Sequence, residues 1–436
     1  MAGGRTAMGM TVALTRAATR RVHVLIVEVR GNWVLRAAVE RRVAARGWCA
    51  AVSPADADVL AVCGMPGSEL GEVVERIWDQ LPGPRVRIDI TDKESIDSAL
   101  DRAGAELLDS GRQRDDARDR AQSPGPDHRG HHGGTAHGGT DHGGTDRGAM
   151  DHSGHHGMDH GAIEHGDMDH HNMDHDAMEH GAMEHGDMDH SAMDHSGHHG
   201  MDHGGMEMAP AGIALAEGGE DRDGLEMDVL HLRLGPVLPH WPAGLVLRCS
   251  LQGDVLAEAE AWIVDNDHES GYKAPPEHTE LVAAARQCDH VVDLLELSGW
   301  WRASVIARRA RDLLLGDSDV DRARELLDGL HKMLGKSRLL RWSLRDLAPL
   351  TAESLDRHEL PAALAGDTYD RLLTRVGQAR TLLREPLSSS LFELDSTKIS
   401  DALPAVVRGL DVATARLVVA SLGIDTARAN ESIPHG

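Results

Sequence analysis

The chain has 436 residues and a formal net charge of −26, enough length for two domains and a connecting segment. Residues 121–224 hold 21 Asp and Glu against 3 Lys and Arg, a net of −18, which leaves −8 for the rest. This balance argues against nucleic-acid binding. Four scattered cysteines (Cys49, Cys63, Cys249, Cys288) form no CxxC or CxxxC pair, so they supply neither a disulfide framework nor a zinc or iron–sulfur ligand set.

Residues 1–20 carry arginines but no apolar core with a small-residue cleavage site, and are expected to be a flexible N-terminus without a secretory signal. No apolar run reaches transmembrane length. The expected location is cytoplasmic, peripheral to the inner face of the cell membrane only through partners. Residues 22–29 are a β-rich apolar run, the pattern of a strand buried on both faces. Asn32 is placed to cap a helix over 33–46 that Gly47 ends. A second strand is expected over 58–63. A helix opens at Ser68 with Glu69 and Glu72 in its first turn and stops at Pro82-Gly83-Pro84. A third strand covers 85–90. Thr91-Asp92-Lys93-Glu94 reads as a capping box before a helix with Ile96, Leu100, Ala103 and Leu107 on one face. Alternating strands and helices predict a small parallel, flavodoxin-like α/β domain over residues 21–120.

The run from Ala55 through Asp58-Val59-Leu60-Ala61-Val62-Cys63-Gly64, a helix, and then Trp78-Asp79-Gln80-Leu81-Pro82-Gly83-Pro84-Arg85-Val86 carries a resemblance. Over most of residues 22–90 the chain resembles the cluster-binding small subunit of respiratory complex I and the related small subunit of nickel–iron hydrogenases. That family holds a four-iron cluster through cysteines in the loops after the first and third strands. The corresponding loops here are Arg30-Gly31-Asn32-Trp33 and Thr91-Asp92-Lys93-Glu94, and neither contains cysteine. No iron–sulfur cluster is therefore expected. Cys63 and Cys49 are read as small buried hydrophobes.

Residues 121–224 are expected to be a disordered, acidic linker of His, Met, Asp and Gly. Between 158 and 195 a Met-acid-His unit recurs every five residues, with Ile163 replacing one Met. A period of five fits neither helix nor strand, and so polar a segment cannot bury enough apolar area to offset its ordering entropy. Residues 128–208 hold 20 of the 29 histidines and 11 of the 17 methionines, so the chain's ligand chemistry is concentrated there. Imidazole suits copper, nickel and zinc, and thioether sulfur favours Cu(I), which ranks copper first with nickel or zinc next. The candidate ligands are His155, His156, Met158, His160, His165, Met168, His170, His171, Met173, His175, Met178, His180, Met183, His185, Met188, His190, Met193, His195, His198, His199, Met201 and His203. A low-complexity spacer with incidental metal affinity is the competing reading.

Residues 225–436 read as an α+β, mainly helical domain. Strands are expected over 227–234, 244–251 and 255–264, with Gln252-Gly253-Asp254 as a tight turn. Helical spacing follows over 281–295, 301–315, 320–334, 367–384, 402–410 and 412–422, with Cys288 and Cys249 as core positions. Arg302, Arg308, Arg309 and Arg311 can meet an acidic partner, or form a solvated helix face near Asp312 and Glu325. The stretch Leu234-Gly235-Pro236-Val237-Leu238-Pro239-His240-Trp241, continuing to Asp254, resembles the complex I 49-kDa-type subunit and the hydrogenase large subunit. Arg286-Gln287-Cys288-Asp289 and Gly366-Asp367-Thr368-Tyr369-Asp370-Arg371 resemble helical stretches of the same family. In the complex I branch, histidines of the first loop help form a quinone pocket; His240 lies near one of them, and a surface-loop role competes. No paired CxxC motif for a nickel–iron centre is present.

Together these features describe a fused, cofactor-ligand-lacking relative of a small and a large subunit, its two ends expected to dock intramolecularly. The expected role is a catalytically silent accessory or assembly component of a membrane-associated redox complex, with protein partners and neither nucleic acid nor direct membrane insertion. A cytoplasmic metal buffer or metallochaperone is the alternative. An active quinone-linked oxidoreductase comes third: no catalytic residue stands out and no GxGxxG follows the first strand.

Overall fold

The computed structural model describes residues 21–122, 217–220, 226–266, 280–317, 319–384 and 396–426. Its N-terminal half alternates β1 (His23–Glu28), α1 (Trp33–Ala45), β2 (Cys49–Ala50), β3 (Val59–Cys63), α2 (Ser68–Gln80), β4 (Val86–Ile90) and α3 (Ile96–Leu108), followed by α4 (Ser110–Gln122). The four strands form a parallel sheet in the order β2-β1-β3-β4. Every residue of β3 is buried, as a central parallel strand covered on both faces requires. One face, through Val24, Val59, Ala61 and Ile88, packs on Leu35 and Val39 of α1 and on Leu100 and Ala103 of α3. The other, through Leu25, Val27, Leu60 and Val62, packs on Leu70, Val74 and Ile77 of α2.

The second half opens with an antiparallel meander, β5 (Glu217–Glu220), β6 (Glu226–Leu234), β7 (Leu245–Gln252) and β8 (Val255–Ile263), paired in sequence order. It is otherwise mainly helical: α5 (Glu280–Leu297), α6 (Trp301–Asp312) running on into a π turn (Leu313–Asp317), α7 (Val320–Lys336), α8 (Arg338–Leu344), α9 (Ala352–Arg357), α10 (Thr368–Arg384), α11 (Ser396–Val407) and α12 (Val412–Leu422). Leu247, Cys249 and Leu251 of β7 bury against Leu403 and Val407 of α11 and Val419 of α12. A separate helical core joins α5, α6, α7 and α10.

The two halves share their cores. Trp33 and Val34 of α1 belong to the helical core, and Val246 and Val264 belong to the core under α2. Burying a side chain of this size contributes roughly 1.5–3 kcal/mol, so four of them make the junction a substantial apolar contact.

Several sequence expectations are corrected. Cys49 is exposed, because it lies on the two-residue edge strand β2 rather than in a core. Asn32 occupies the residue before α1, but its side-chain Nδ2 donates to the Arg30 carbonyl instead of capping the helix. Thr91 starts no helix. Asp92 accepts the Ser95 N–H at 2.8 Å in a preceding turn, and α3 begins at Ile96. α4 has no buried residue and therefore no apolar periodicity to betray it, and α11 begins at Ser396, ahead of residue 402.

Candidate functional site at the junction of the halves

In an open parallel sheet, ligands settle at the carboxyl ends of the strands where the strand order reverses, here between β1 and β3. The loops at that point, Arg30-Gly31-Asn32 and Gly64-Met65-Pro66-Gly67, meet the chain just after β8. Asp265 accepts the N–H groups of Glu69 (3.0 Å) and Leu70 (3.2 Å), so its carboxylate fills the anion-favouring N-terminus of α2. Only glycine fits beneath it: a Cβ on Gly67 would lie 2.4 Å from the Asp265 carboxyl carbon. Arg30 donates to Asn266 at its side-chain oxygen (2.9 Å) and its carbonyl (3.1 Å). The crevice is stitched shut by two residues of the other half.

Deeper in the junction, Asp289 of α5 is almost wholly buried, 1% exposed, and surrounded by guanidinium groups. Its Oδ2 accepts from Arg36 of α1 (2.5 Å) and from Arg286 (2.8 Å), and its Oδ1 from Arg311 (2.8 Å). Arg36 also donates to Glu28 (2.5 Å) and to Glu40. The second Glu40 oxygen lies 2.9 Å from Arg311 without a directed hydrogen bond. Arg311 donates further to Asp312 (3.0 Å), and the Arg286 guanidinium stands over the Trp33 ring at 5.0 Å. Buried charge is tolerated only when paired and hydrogen-bonded, and each half supplies what the other lacks. Arg36 and Arg311 hold the Glu40 carboxyl down to about 2 against the opposing effect of burial. Arg36, Arg311 and Arg286 likewise keep Asp289 well below the usual carboxylate range. Glu28 moves the other way: desolvation raises it despite Arg36.

Beside this network opens a cleft of about 150 Å³, lined by β1, β2, the 236–243 loop, α5 and the end of α12. The loop takes its shape from Gly235, at φ 83°, where a Cβ would strike the Leu245 carbonyl at 2.0 Å. Trp241 then donates its indole N–H to that carbonyl at 2.8 Å. His240, at φ 58°, turns its Nδ1 to within 3.1 Å of Asp293. Glu28, Arg36, Arg286 and His290 complete the polar wall. Burial, with Arg286 and Arg375 nearby, pushes His290 well below its ordinary value and keeps the ring neutral at neutral pH. A polar wall against the apolar edge of β1 suits a small polar head group; pockets for drug-sized ligands run to about 300–1,000 Å³.

Of the residues singled out from the sequence, His240 lies in this cleft. The repeat ligands His155 to His203 lie outside the described residues, among which no three His, Cys, Asp or Glu are grouped as metal ligands. Arg311 is corrected: it is fully buried within the charge network rather than on a solvated or partner-facing helix face. Arg308 pairs with Glu296 at 3.0 Å, and Arg302 stands over Trp301. The thiols of Cys249 and Cys288 are pushed up to about 11 and about 12 by burial, and that of Cys63 higher still, so all three are inert. Sequence reading missed Glu28, Arg36, Glu40, His290 and Asp293. For His290 and Asp293 the available signal was the run of polar residues 286, 287, 289, 290 and 293 inside the otherwise apolar stretch 281–295. No protein-family model matches the chain, and no curated protein matches it.

Proposed function

We propose that the chain is a fused relative of the small and large subunits of complex I and nickel–iron hydrogenases, with a flavodoxin-like first half and an α+β second half. In this reading it has kept the contact between the two subunit types and lost their cluster ligands. It acts as an accessory or assembly component of a membrane-bound redox complex, and the junction cleft receives a small polar-headed ligand of the quinone class against His240 and Asp293. One observation supports this reading above the rest. Two of the stretches that carry the large-subunit resemblance, the loop of His240 and the helix of Arg286 and Asp289, lie at the contact with the N-terminal half. His240 shares the cleft with β1 and reaches Asp293, and Asp289 reaches Arg36 of α1. The strand order β2-β1-β3-β4 supports the flavodoxin-like assignment.

The test is affinity purification of the full chain at its native level from solubilised membranes. Recovery of complex I- or hydrogenase-type subunits supports the proposal, and a chain that purifies alone rejects it. The Met-acid-His repeat favours a second reading, a metal buffer that prefers copper. Anaerobic Cu(I), Ni(II) and Zn(II) titrations of the full chain and of a chain lacking residues 128–208 separate the two. A buffer binds Cu(I) far more tightly than micromolar and loses that binding with the deletion; affinity no better than micromolar for all three metals rejects the second reading.

A further inference from the structure

One place on the described surface runs against the character of the whole chain. Between Asp328 and Asp346 the sequence holds five cations, Lys332, Lys336, Arg338, Arg341 and Arg345, and no carboxylate, in a protein whose net charge is −26. All five are exposed. The short helix α8 lies at the centre of this stretch and is anchored by Leu340 and Leu344, both fully buried. At 100° per residue, Trp342 points directly away from those two anchors, and it is 79% exposed. Leu339, 64% exposed, flanks it on one side. Arg338, Arg341 and Arg345 fan out on the other.

The apolar area extends beyond α8. Met333 is exposed in the last turn of α7. Helix α6 with its π turn, residues 301–317, matches α7 in length and packs beside it through Ala303, Ala307, Leu327 and Leu334. Trp301, 61% exposed, therefore lies at the same end of the hairpin as Lys336. The cations keep only loose contacts: Arg345 lies 3.8 Å from the exposed Asp346, and Arg341 stands 5.3 Å from the Tyr369 ring.

We propose that this face is a docking surface for an anionic lipid bilayer. Trp342, Leu339 and Trp301 enter the head-group level while the five cations engage lipid phosphates. The chemistry separates a bilayer from a protein partner. A buried protein-interface core excludes charge, whereas five Lys and Arg clustered around an exposed tryptophan match the pattern that binds anionic head groups. Here a tryptophan projects from a seven-residue helix amid flexible cationic stems, which favours the graded depth of a membrane interface over a fitted pocket. The proposed contact is made by surface side chains; among the described residues no helix is long and apolar enough to cross a membrane. A chain of charge −26 is repelled by an anionic surface in most orientations, and this face sets the one that is not.

Co-sedimentation of the full chain with vesicles of phosphatidylglycerol and phosphatidylcholine, against phosphatidylcholine alone, tests the proposal. Binding is expected only to the phosphatidylglycerol vesicles, and it weakens as salt is raised. Each cation near such a surface is worth about a factor of five in affinity. The pair Lys336→Glu and Arg338→Glu therefore lowers binding by roughly 25-fold or more. The pair Leu339→Ser and Trp342→Ser lowers it independently. Every substituted side chain is exposed, so unchanged thermal unfolding of both variants is the control for folding. Absence of vesicle binding by the wild-type chain at low salt overturns the proposal, as does undiminished binding by both variants. Salt-sensitive binding to polyglutamate without binding to vesicles also overturns it and assigns the face to an acidic protein.

Discussion

Three guanidinium groups converge on the single carboxylate of Asp289, and the price of removing it exceeds that of an ordinary surface ion pair. Asp289→Asn leaves Arg36, Arg286 and Arg311 sharing one fewer negative charge in a desolvated site, a loss expected to lower stability by about 3–5 kcal/mol. The shift in the urea midpoint measures it; a change under 1 kcal/mol would show that water reaches the network. Acid titrates the same neighbourhood in two stages. His290 has its folded value well below 6.5, so below that pH the unfolded chain takes up a proton that the folded chain refuses, and stability falls. Glu40 and Asp289 are also depressed. Their contribution is complete above about 4.5 and is lost as the pH falls towards 2 for Glu40 and lower for Asp289. Glu28, raised by burial, acts in the opposite sense. His23, raised by its hydrogen bond to Asp56, also opposes the fall. The His290 contribution is therefore read from urea midpoints at pH 7, 6 and 5 as the difference between wild type and His290→Gln, which should shift in the variant's favour as the pH falls. The loss at lower pH, which belongs to Glu40 and Asp289, should stay intact in His290→Gln.

At the level of elements, the clearest dependence is that of α2 on a carboxylate 195 residues away. Asp265→Ala leaves the Glu69 and Leu70 N–H groups without their acceptor and should destabilise the fold by about 1 kcal/mol, the usual worth of a helix cap. Hydrogen exchange should show the gain concentrated in the first turn of α2; uniform exchange across the chain would refute a local role. Elements with a periodic apolar face were legible from the residues: β3 and α3 in the first half, and α5, α7, α10 and α12 in the second, start or end within a few residues of the expected positions. What escaped lacks such a face. β2 is two residues long and held by pairing to β1, and α4 is charged throughout. The candidate site escaped for a different reason. Arg36 and Asp289 are 253 residues apart, and nothing local in either marks the other as its partner. His240 was singled out on the resemblance of its loop, whereas Asp293 looked like any helix-surface carboxylate until the fold brought it to 3.1 Å from His240. The basic face around Trp342 escaped the sequence reading as well, because its projection depends on Leu340 and Leu344 anchoring α8.

For the molecule as a whole, residues 21–122 and 217–426 contribute to common cores and to one charge network. A chain lacking residues 128–208 should therefore unfold in a single transition at a temperature close to that of the full chain. Differential scanning calorimetry decides this, and two separated transitions would mean that the halves are stable independently. The shared network also governs how the protein is made. Arg36 leaves the ribosome 253 residues before Asp289, an interval of roughly 13–50 s at bacterial and eukaryotic elongation rates. Throughout that time the first half presents Glu28, Arg36 and Glu40 with no acidic or basic counterpart from the second. Trp33 and Val34 wait with them, uncovered. Any factor that shields a nascent chain has its longest task at this surface, and a pause in translation between the halves prolongs it.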